Sequence, residues 1–259
     1  MNYLSKYFDI SNKTAVVIGG GGVLAGFMAE GLAQAGAHVV ILDINLENAE
    51  KKAVKLREFG VKSSAIKVDA SSKKDLSNAA SQIKSDYGRC DIVINAPGIN
   101  STTPFFDITE DEWSRIININ LKSIFLSCQI FGKMMIDLGH GGSIINISSA
   151  SSGPPLSKVF TYGVSKAGIN NLTQYLAREW ADKGIRVNAI APGFFPAEQN
   201  RKILTKERTA SIMNHTAMGR FGNPEELIGA VIWLASHNAS SFVTGSIVRV
   251  DGGFSSMTI

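Results

Sequence analysis

Apolar positions along the chain follow two alternating patterns. Short runs rich in β-branched residues, TAVVIG (14–19), HVVIL (38–42), SAIKV (64–68), DIVIN (91–95), SIINI (143–147), IRVNAI (185–190) and SIVRV (246–250), read as seven strands. Between them lie longer segments, 23–35, 46–59, 72–87, 110–138 and 161–183, whose apolar residues recur at helical spacing. The strands show almost no polar alternation, which fits burial on both faces and requires helices on both sides of a mostly parallel sheet. The pattern predicts a doubly wound α/β sandwich of the Rossmann type. Helix-start chemistry marks two boundaries: Thr109 precedes Glu112 in capping-box spacing, and Asn223-Pro224-Glu225-Glu226 puts a cap, a first-turn proline and two acids in order. No linker, low-complexity run or repeat divides the chain, so residues 1–259 are expected to form one domain.

Composition narrows the classes of function. With 44% apolar residues and a net charge of only +4, the 259 residues can bury enough surface to fold, which excludes a disordered chain. Uncharged stretches such as 14–29 and 138–157 are broken by Gly, Ser or Pro, so no membrane span is expected. The first residues mix charges into a weakly apolar stretch without the core of a signal peptide, and the expected location is the cytoplasm. Lys and Arg are interleaved with acids, without a basic run carrying stacking aromatics, which argues against a nucleic-acid partner. Cys90 and Cys128 lack CxxC spacing and sit in apolar surroundings, as buried free thiols do. The four histidines show no ligand spacing, so no metal is expected, and Ser149 lacks the GxSxG elbow of a hydrolase.

Two clusters carry chemistry. Gly19-Gly20-Gly21-Gly22 follows the first strand, a helix-like segment comes next, and the second strand ends at Asp43. Strand, glycine turn, helix, strand and acid is the order of a dinucleotide site, in which the backbone approaches a pyrophosphate and the helix start attracts its charge. A carboxylate at Asp43 can accept both ribose hydroxyls of NAD and would repel a 2′-phosphate, so NAD is the expected cofactor. Taken alone, four glycines read equally as a flexible turn and Asp43 as a plain strand-end acid. The second cluster is Tyr162 and Lys166, four apart at a helix start and so on one face. A neighbouring ammonium favours the phenolate, which would bring Tyr162 toward operating pH for proton transfer to a carbonyl oxygen. Elsewhere the same spacing more often gives one packed ring and one solvated head.

In these residues the chain resembles the classical short-chain dehydrogenase/reductase family over nearly its whole length. The family's TGxxxGxG loop falls on Ile18 to Ala25, with Gly19 retained and Val23 and Ala25 at the other glycine positions. The resemblance implies that Ser149, thirteen positions before Tyr162, holds the substrate oxygen. It further implies that Asn120, rather than the nearby Asn118, props a proton-relaying water, and that Lys166 also binds the nicotinamide ribose. Asp69 matches the adenine-contacting acid, Asn95 and Gly98 match the NNAG element, and Pro192-Gly193 matches the turn beside the nicotinamide, with Ala197 where the family usually has Thr. Gly22, Val23, Leu24, Ala70 and Phe195 complete the implied cofactor set. On local sequence alone, Asp69 reads as a turn acid, Asn95 as a strand-end cap and Asn120 as an amide at a helix irregularity.

The family's substrate lid corresponds to about 194–222, which holds Arg201, Lys202, Lys206, Arg208 and Arg220 against Glu198 and Glu207. A cationic lid suits an anionic substrate, while a solvated amphipathic helix is the plainer reading of those charges. IGGGGVLAG, PGFFPAEQNRKILT and HTAMGRFGNPEELIGAVIWLAS are similar to the sugar-acid branch of the family, the D-mannonate oxidoreductase type, which makes Gln199, Arg201 and His215 candidate substrate contacts. The resemblance implies a homotetramer and NAD-linked interconversion of a secondary alcohol and a ketone. Gluconate or polyol dehydrogenation and reduction of a 3-oxoacyl thioester are alternatives within the family, and a non-catalytic NAD-binding redox sensor is one outside enzymes.

Overall fold

The computed structural model describes residues 3–196 and 205–257. Seven parallel strands, β1 (Thr14–Ile18), β2 (His38–Asp43), β3 (Ser63–Lys67), β4 (Ile92–Asn95), β5 (Gly142–Ile147), β6 (Ile185–Pro192) and β7 (Ile247–Val250), form one sheet in the order β3-β2-β1-β4-β5-β6-β7. Side chains alternate across the pleat. Ala15, Val17, Val39, Ile41, Ile92 and Ile94 therefore pack on one face against helices α2 (Val23–Gln34), α3 (Leu46–Arg57) and α9 (Ile228–Ala235). Val16, Ile18, Val40, Leu42 and Val93 pack on the other against α4 (Lys73–Tyr87), α6 (Ser123–Leu138) and α7 (Phe160–Trp180). The double burial inferred from the missing alternation holds for β1, β4, β5 and β6. At the edges, β3 and β7 are half-exposed, because each has a neighbour on one side only. Cys90 and Cys128 are buried free thiols, and burial pushes the Cys128 thiol up to about 12.

Sheet order reverses between β1 and β4, since the chain winds from β1 to β3 in one direction and from β4 to β7 in the other. Open α/β sheets bind ligands at the carboxyl ends of strands at such a point. The described residues also contain a short N-terminal helix α1 (Tyr3–Phe8), α5 (Glu110–Ile117), α8 (Lys206–Asn214) and α10 (His237–Ser240). No helix among them is long and apolar enough to cross a membrane.

Two local expectations change in detail. The helix expected over 110–138 is interrupted by a π-helical segment at Asn118–Lys122, where the Ser123 N–H reaches back five residues to the Asn118 carbonyl. The capping box at Thr109 is half-formed: Thr109 Oγ1 accepts the Glu112 N–H at 3.1 Å, but the Glu112 carboxylate accepts Ser101 Oγ at 2.6 Å and Thr103 Oγ1 at 2.8 Å instead of closing the box. At 223–226 the Glu226 carboxylate does reach back to the Asn223 N–H, 2.8 Å.

Candidate active site

The loop after β1 is shaped by what surrounds its glycines. Gly19 has φ of +75°, and a Cβ there would meet the Ala96 and Pro97 backbone at 3.0 Å, so the ends of β1 and β4 approach as only glycine permits. A Cβ on Gly21 would lie 2.9 Å from the Asp43 carboxyl, and that closeness lets the Gly21 N–H donate to Asp43 Oδ2, also at 2.9 Å. Asp43 Oδ1 accepts the Asn45 N–H at 2.9 Å, so the carboxylate joins the end of β2 to the phosphate-type loop and keeps lone pairs for hydroxyl donors. Gly22 caps α2 without a side chain, leaving first-turn N–H groups for an anion. This cradle fits the pyrophosphate and ribose of a dinucleotide. Gly19, Gly22, Val23, Leu24, Gly98, Pro192, Gly193 and Phe195 all line one cleft of about 790 Å³, together with Ser149, Tyr162 and Lys166.

Other candidate cofactor residues do not line the cleft. Asp69 Oδ1 accepts both the N–H and the hydroxyl of Ser71, at 2.8 and 2.7 Å, which makes Asp69 and Ala70 a turn leading into α4 next to the end of β2. Asn95 differs from the expectation of a cofactor contact. It is fully buried: Nδ2 donates to Asn146 Oδ1 at 2.8 Å and Oδ1 accepts Ser127 Oγ, while Asn146 continues to Thr173 at 2.9 Å. Its amide ties β4 to β5, α6 and α7, and its polar atoms are spent inside the protein. Asn95→Leu should cost roughly 2–6 kcal/mol, because Ser127 and Asn146 each lose a buried partner worth about 1–3 kcal/mol. Urea denaturation measures this, and a variant within 0.5 kcal/mol of the parent would refute it.

The chemistry-bearing side chains converge at the end of β5. Lys166 is only 3% exposed, and its Nζ donates to the Ile147 carbonyl at 2.8 Å, lying 5.4 Å from the Tyr162 ring centre. Burial lowers this ammonium to about 8. Tyr162, in the first turn of α7, departs from the sequence expectation: burial raises its phenol above the usual value, and a hydrogen bond with Ser149 only partly opposes this. The ammonium lies against the ring and is itself weakened by burial, so desolvation prevails. Ser149 Oγ is held by the Ser151 hydroxyl at 2.9 Å and the Ser151 N–H at 3.2 Å.

The π segment gives Asn120 its position. Asn118 is exposed, whereas Asn120 is fully buried, with Oδ1 accepting the Ile99 N–H at 2.8 Å and Nδ2 donating to the Ile99 carbonyl at 2.9 Å and Ser165 Oγ at 3.0 Å. A methyl placed on Gly98 would be 3.6 Å from both Asn120 Oδ1 and Lys166 Nζ, so the two groups flank one point in the cleft wall.

The candidate substrate residues separate. Gln199 and Arg201 lie outside the described residues, as do Ala197, Glu198 and Lys202. His215 is not in the cleft: its ring packs edge-on to Phe254, which packs edge-on to Phe194, and it lines an adjoining chamber of about 660 Å³. Of the lid cations, Arg220 is clamped by Glu226 at 2.6 and 2.8 Å, whereas Arg208 lines both the cleft and the chamber and donates to Ser157 Oγ at 2.9 Å. The sequence counted Arg208 among the lid charges without singling it out.

Comparisons with known proteins agree with the fold. Residues 23–255 match a family model described as enoyl-(acyl carrier protein) reductase. A 5-keto-D-gluconate 5-reductase of Escherichia coli K12 is 33% identical over 96% of this chain and 98% of its own. A protein of Haemophilus influenzae provisionally assigned as a D-mannonate oxidoreductase, solved with bound NAD, superposes with a TM-score of 0.92 at 37% identity, covering 99% of both chains. A gluconate 5-dehydrogenase of Burkholderia cenocepacia, solved with NADP and tartrate, gives 0.92 at 33% identity over 97% of this chain and 98% of that one.

Proposed function

This chain belongs to the classical short-chain dehydrogenase/reductase family, and we propose that it is an NAD(H)-dependent oxidoreductase interconverting a secondary alcohol and a ketone on a sugar acid of the D-mannonate/D-fructuronate type. The observation that carries the chemistry is the convergence of Ser149, Tyr162 and Lys166 in a cleft walled by the glycine loop. Sugar-acid relatives matching nearly the full length support the substrate class.

When bound, the nicotinamide supplies or accepts the hydride. Ser149 and Tyr162 hydroxyls hold the substrate oxygen, and the raised phenol keeps Tyr162 protonated at neutral pH, ready to donate to a ketone. Lys166 sets the charge beside the ring and meets the ribose, and Asn120 fixes the Ile99 segment and the point it shares with Lys166. Gly19, Gly22, Val23 and Leu24 receive the pyrophosphate, Asp43 the adenosine ribose, Asp69 and Ala70 the adenine side, and Gly98, Pro192, Gly193 and Phe195 the nicotinamide end.

For the reverse oxidation Tyr162 must act as phenolate, so that rate should climb with pH. Ketone reduction should hold through neutral pH and decline as Lys166 deprotonates around 8. A panel of sugar acids, polyols and acyl thioesters followed by NADH absorbance tests the reading; turnover of thioesters alone, or of nothing, overturns it.

The preference for NAD rests on Asp43. Asp43→Ala is expected to weaken NADH binding about tenfold or more, the loss of two charge-assisted hydrogen bonds of about 1.5 kcal/mol or more each being only partly replaced by water, and to improve NADPH binding. Calorimetry showing tighter NADPH than NADH binding by the parent would reverse the assignment. In this proposal residues 1–259 form one catalytic domain with its lid at 194–222, working in the cytoplasm as a homotetramer. Exposed Trp113, Phe125 and Tyr175 on α5, α6 and α7 are consistent with helices that pack against another copy, and light scattering gives the mass.

A further inference from the structure

We infer that Arg208 is the anion anchor of the substrate site: its guanidinium, held by Ser157 at the boundary between the catalytic cleft and the adjoining chamber, takes the carboxylate of a polyhydroxy acid whose carbonyl lies at Tyr162. The inference deepens the sugar-acid reading and rests on it. Among the described residues lining the cleft, Lys166 and Arg208 are the charged ones. Lys166 is buried in the wall and committed to the Ile147 carbonyl. Arg208 spends one N–H on Ser157 and makes no ion pair among the described residues, so most of its five donors remain. Its neighbour Glu207 is turned back onto the helix start, where its own N–H and Thr205 hold its carboxyl below the usual range. Arg220 is spent on Glu226.

Position adds to charge. Arg208 lies in the first turn of α8, whose start is fixed by Thr205 Oγ1 accepting the Arg208 N–H at 3.1 Å. Ser157 comes from the loop that follows Ser149, so the contact joins the lid helix to the catalytic loop. Leu156, Phe194 and Arg208 are shared by the two cavities, which makes Arg208 a door-post between the reacting carbon and the space beside His215. A carboxylate leaving water for such a cleft needs a cation with matching geometry, and a guanidinium fork supplies two parallel hydrogen bonds.

The test uses the full chain with NADH, a sugar-acid ketone and an uncharged ketose of the same length. The parent should prefer the acid. Arg208→Met is expected to raise KM for the acid at least 30-fold while kcat falls no more than threefold, and to reduce the acid-over-neutral ratio of kcat/KM by a similar factor. Arg208→Lys should recover part of that ratio, and competitive inhibition by tartrate should weaken in the same order. An unchanged acid KM in Arg208→Met, or equal losses on both substrates, overturns the anchor and leaves the sugar-acid reading standing. A parent that turns over uncharged substrates only overturns both. Should Arg208→Met lose its fold by circular dichroism, the same ratio in Arg208→Lys and Ser157→Ala decides.

Discussion

Tyr162→Phe is expected to lower kcat for ketone reduction by about 10³-fold, within the roughly 10²–10⁴ that positioned acid–base groups contribute, while the Kd for NADH changes less than fivefold. The variant removes one oxygen from a first-turn helix position and keeps the ring beside the Lys166 ammonium, so the fold should survive. The phenol matters because burial holds it protonated in the free enzyme. Direct measurement is a single-turnover reduction in excess NADH, read by absorbance. If the variant keeps more than a tenth of the parent rate, the proton comes from elsewhere and the role of Tyr162 reduces to packing.

Lys166→Met should move activity and stability in opposite directions. Among the described residues the buried ammonium has a single hydrogen bond and no acid beside it, and burial drops its affinity for the proton from 10.5 to about 8. Between about 8 and 10.5 the unfolded chain holds a proton that the folded chain has released, so stability rises with pH through that window and the burden is fully present below 8. That displacement is worth about 3 kcal/mol, against about 1 kcal/mol for the hydrogen bond to Ile147. The variant should therefore be about 2 kcal/mol more stable at pH 7, with kcat reduced about 10²-fold and the decline in reduction near pH 8 abolished. Urea melts at pH 7 and 10 test it: the gap between parent and variant should close at the higher pH. A variant less stable than the parent at both would contradict the account.

The sandwich was readable because strand and helix periods are set by local geometry, and the runs at 14–18, 92–95 and 143–147 have no competing pattern. Tyr162 and Lys166 were readable as a pair because they fall on one helix face, whereas Ser149, two residues beyond β5, came in through the family's thirteen-residue spacing. What escaped depends on distant partners. Nothing near Asn95 announces Ser127 and Asn146, and nothing near Glu112 announces Ser101 and Thr103. The π segment was legible only as the alternative for Asn120, an amide at a helix irregularity, because a five-residue change of period is lost inside a long apolar repeat. Arg208 and Arg220 look alike in sequence, and only Glu226 and Ser157 tell a neutralised cation from one facing the cleft. The downward shift expected for Tyr162 failed for a related reason: spacing reports a neighbour, not how much water the pair has lost.

The widened turn at Asn118–Lys122 also limits how this helix can change. Each residue of an α-helix advances the chain by about 100° and 1.5 Å. Deleting one residue there would close the turn to ordinary helix; because a π turn takes up one extra residue, α5 and α6 would keep nearly their phase, whereas Asn120, inside the turn, would leave Ile99. The Ile99 segment beside the cleft would lose its tether while Glu112 kept Ser101 and Thr103. Point substitutions leave the extra residue in place, so the one residue by which this turn exceeds ordinary helix is the length on which the position of Asn120 depends.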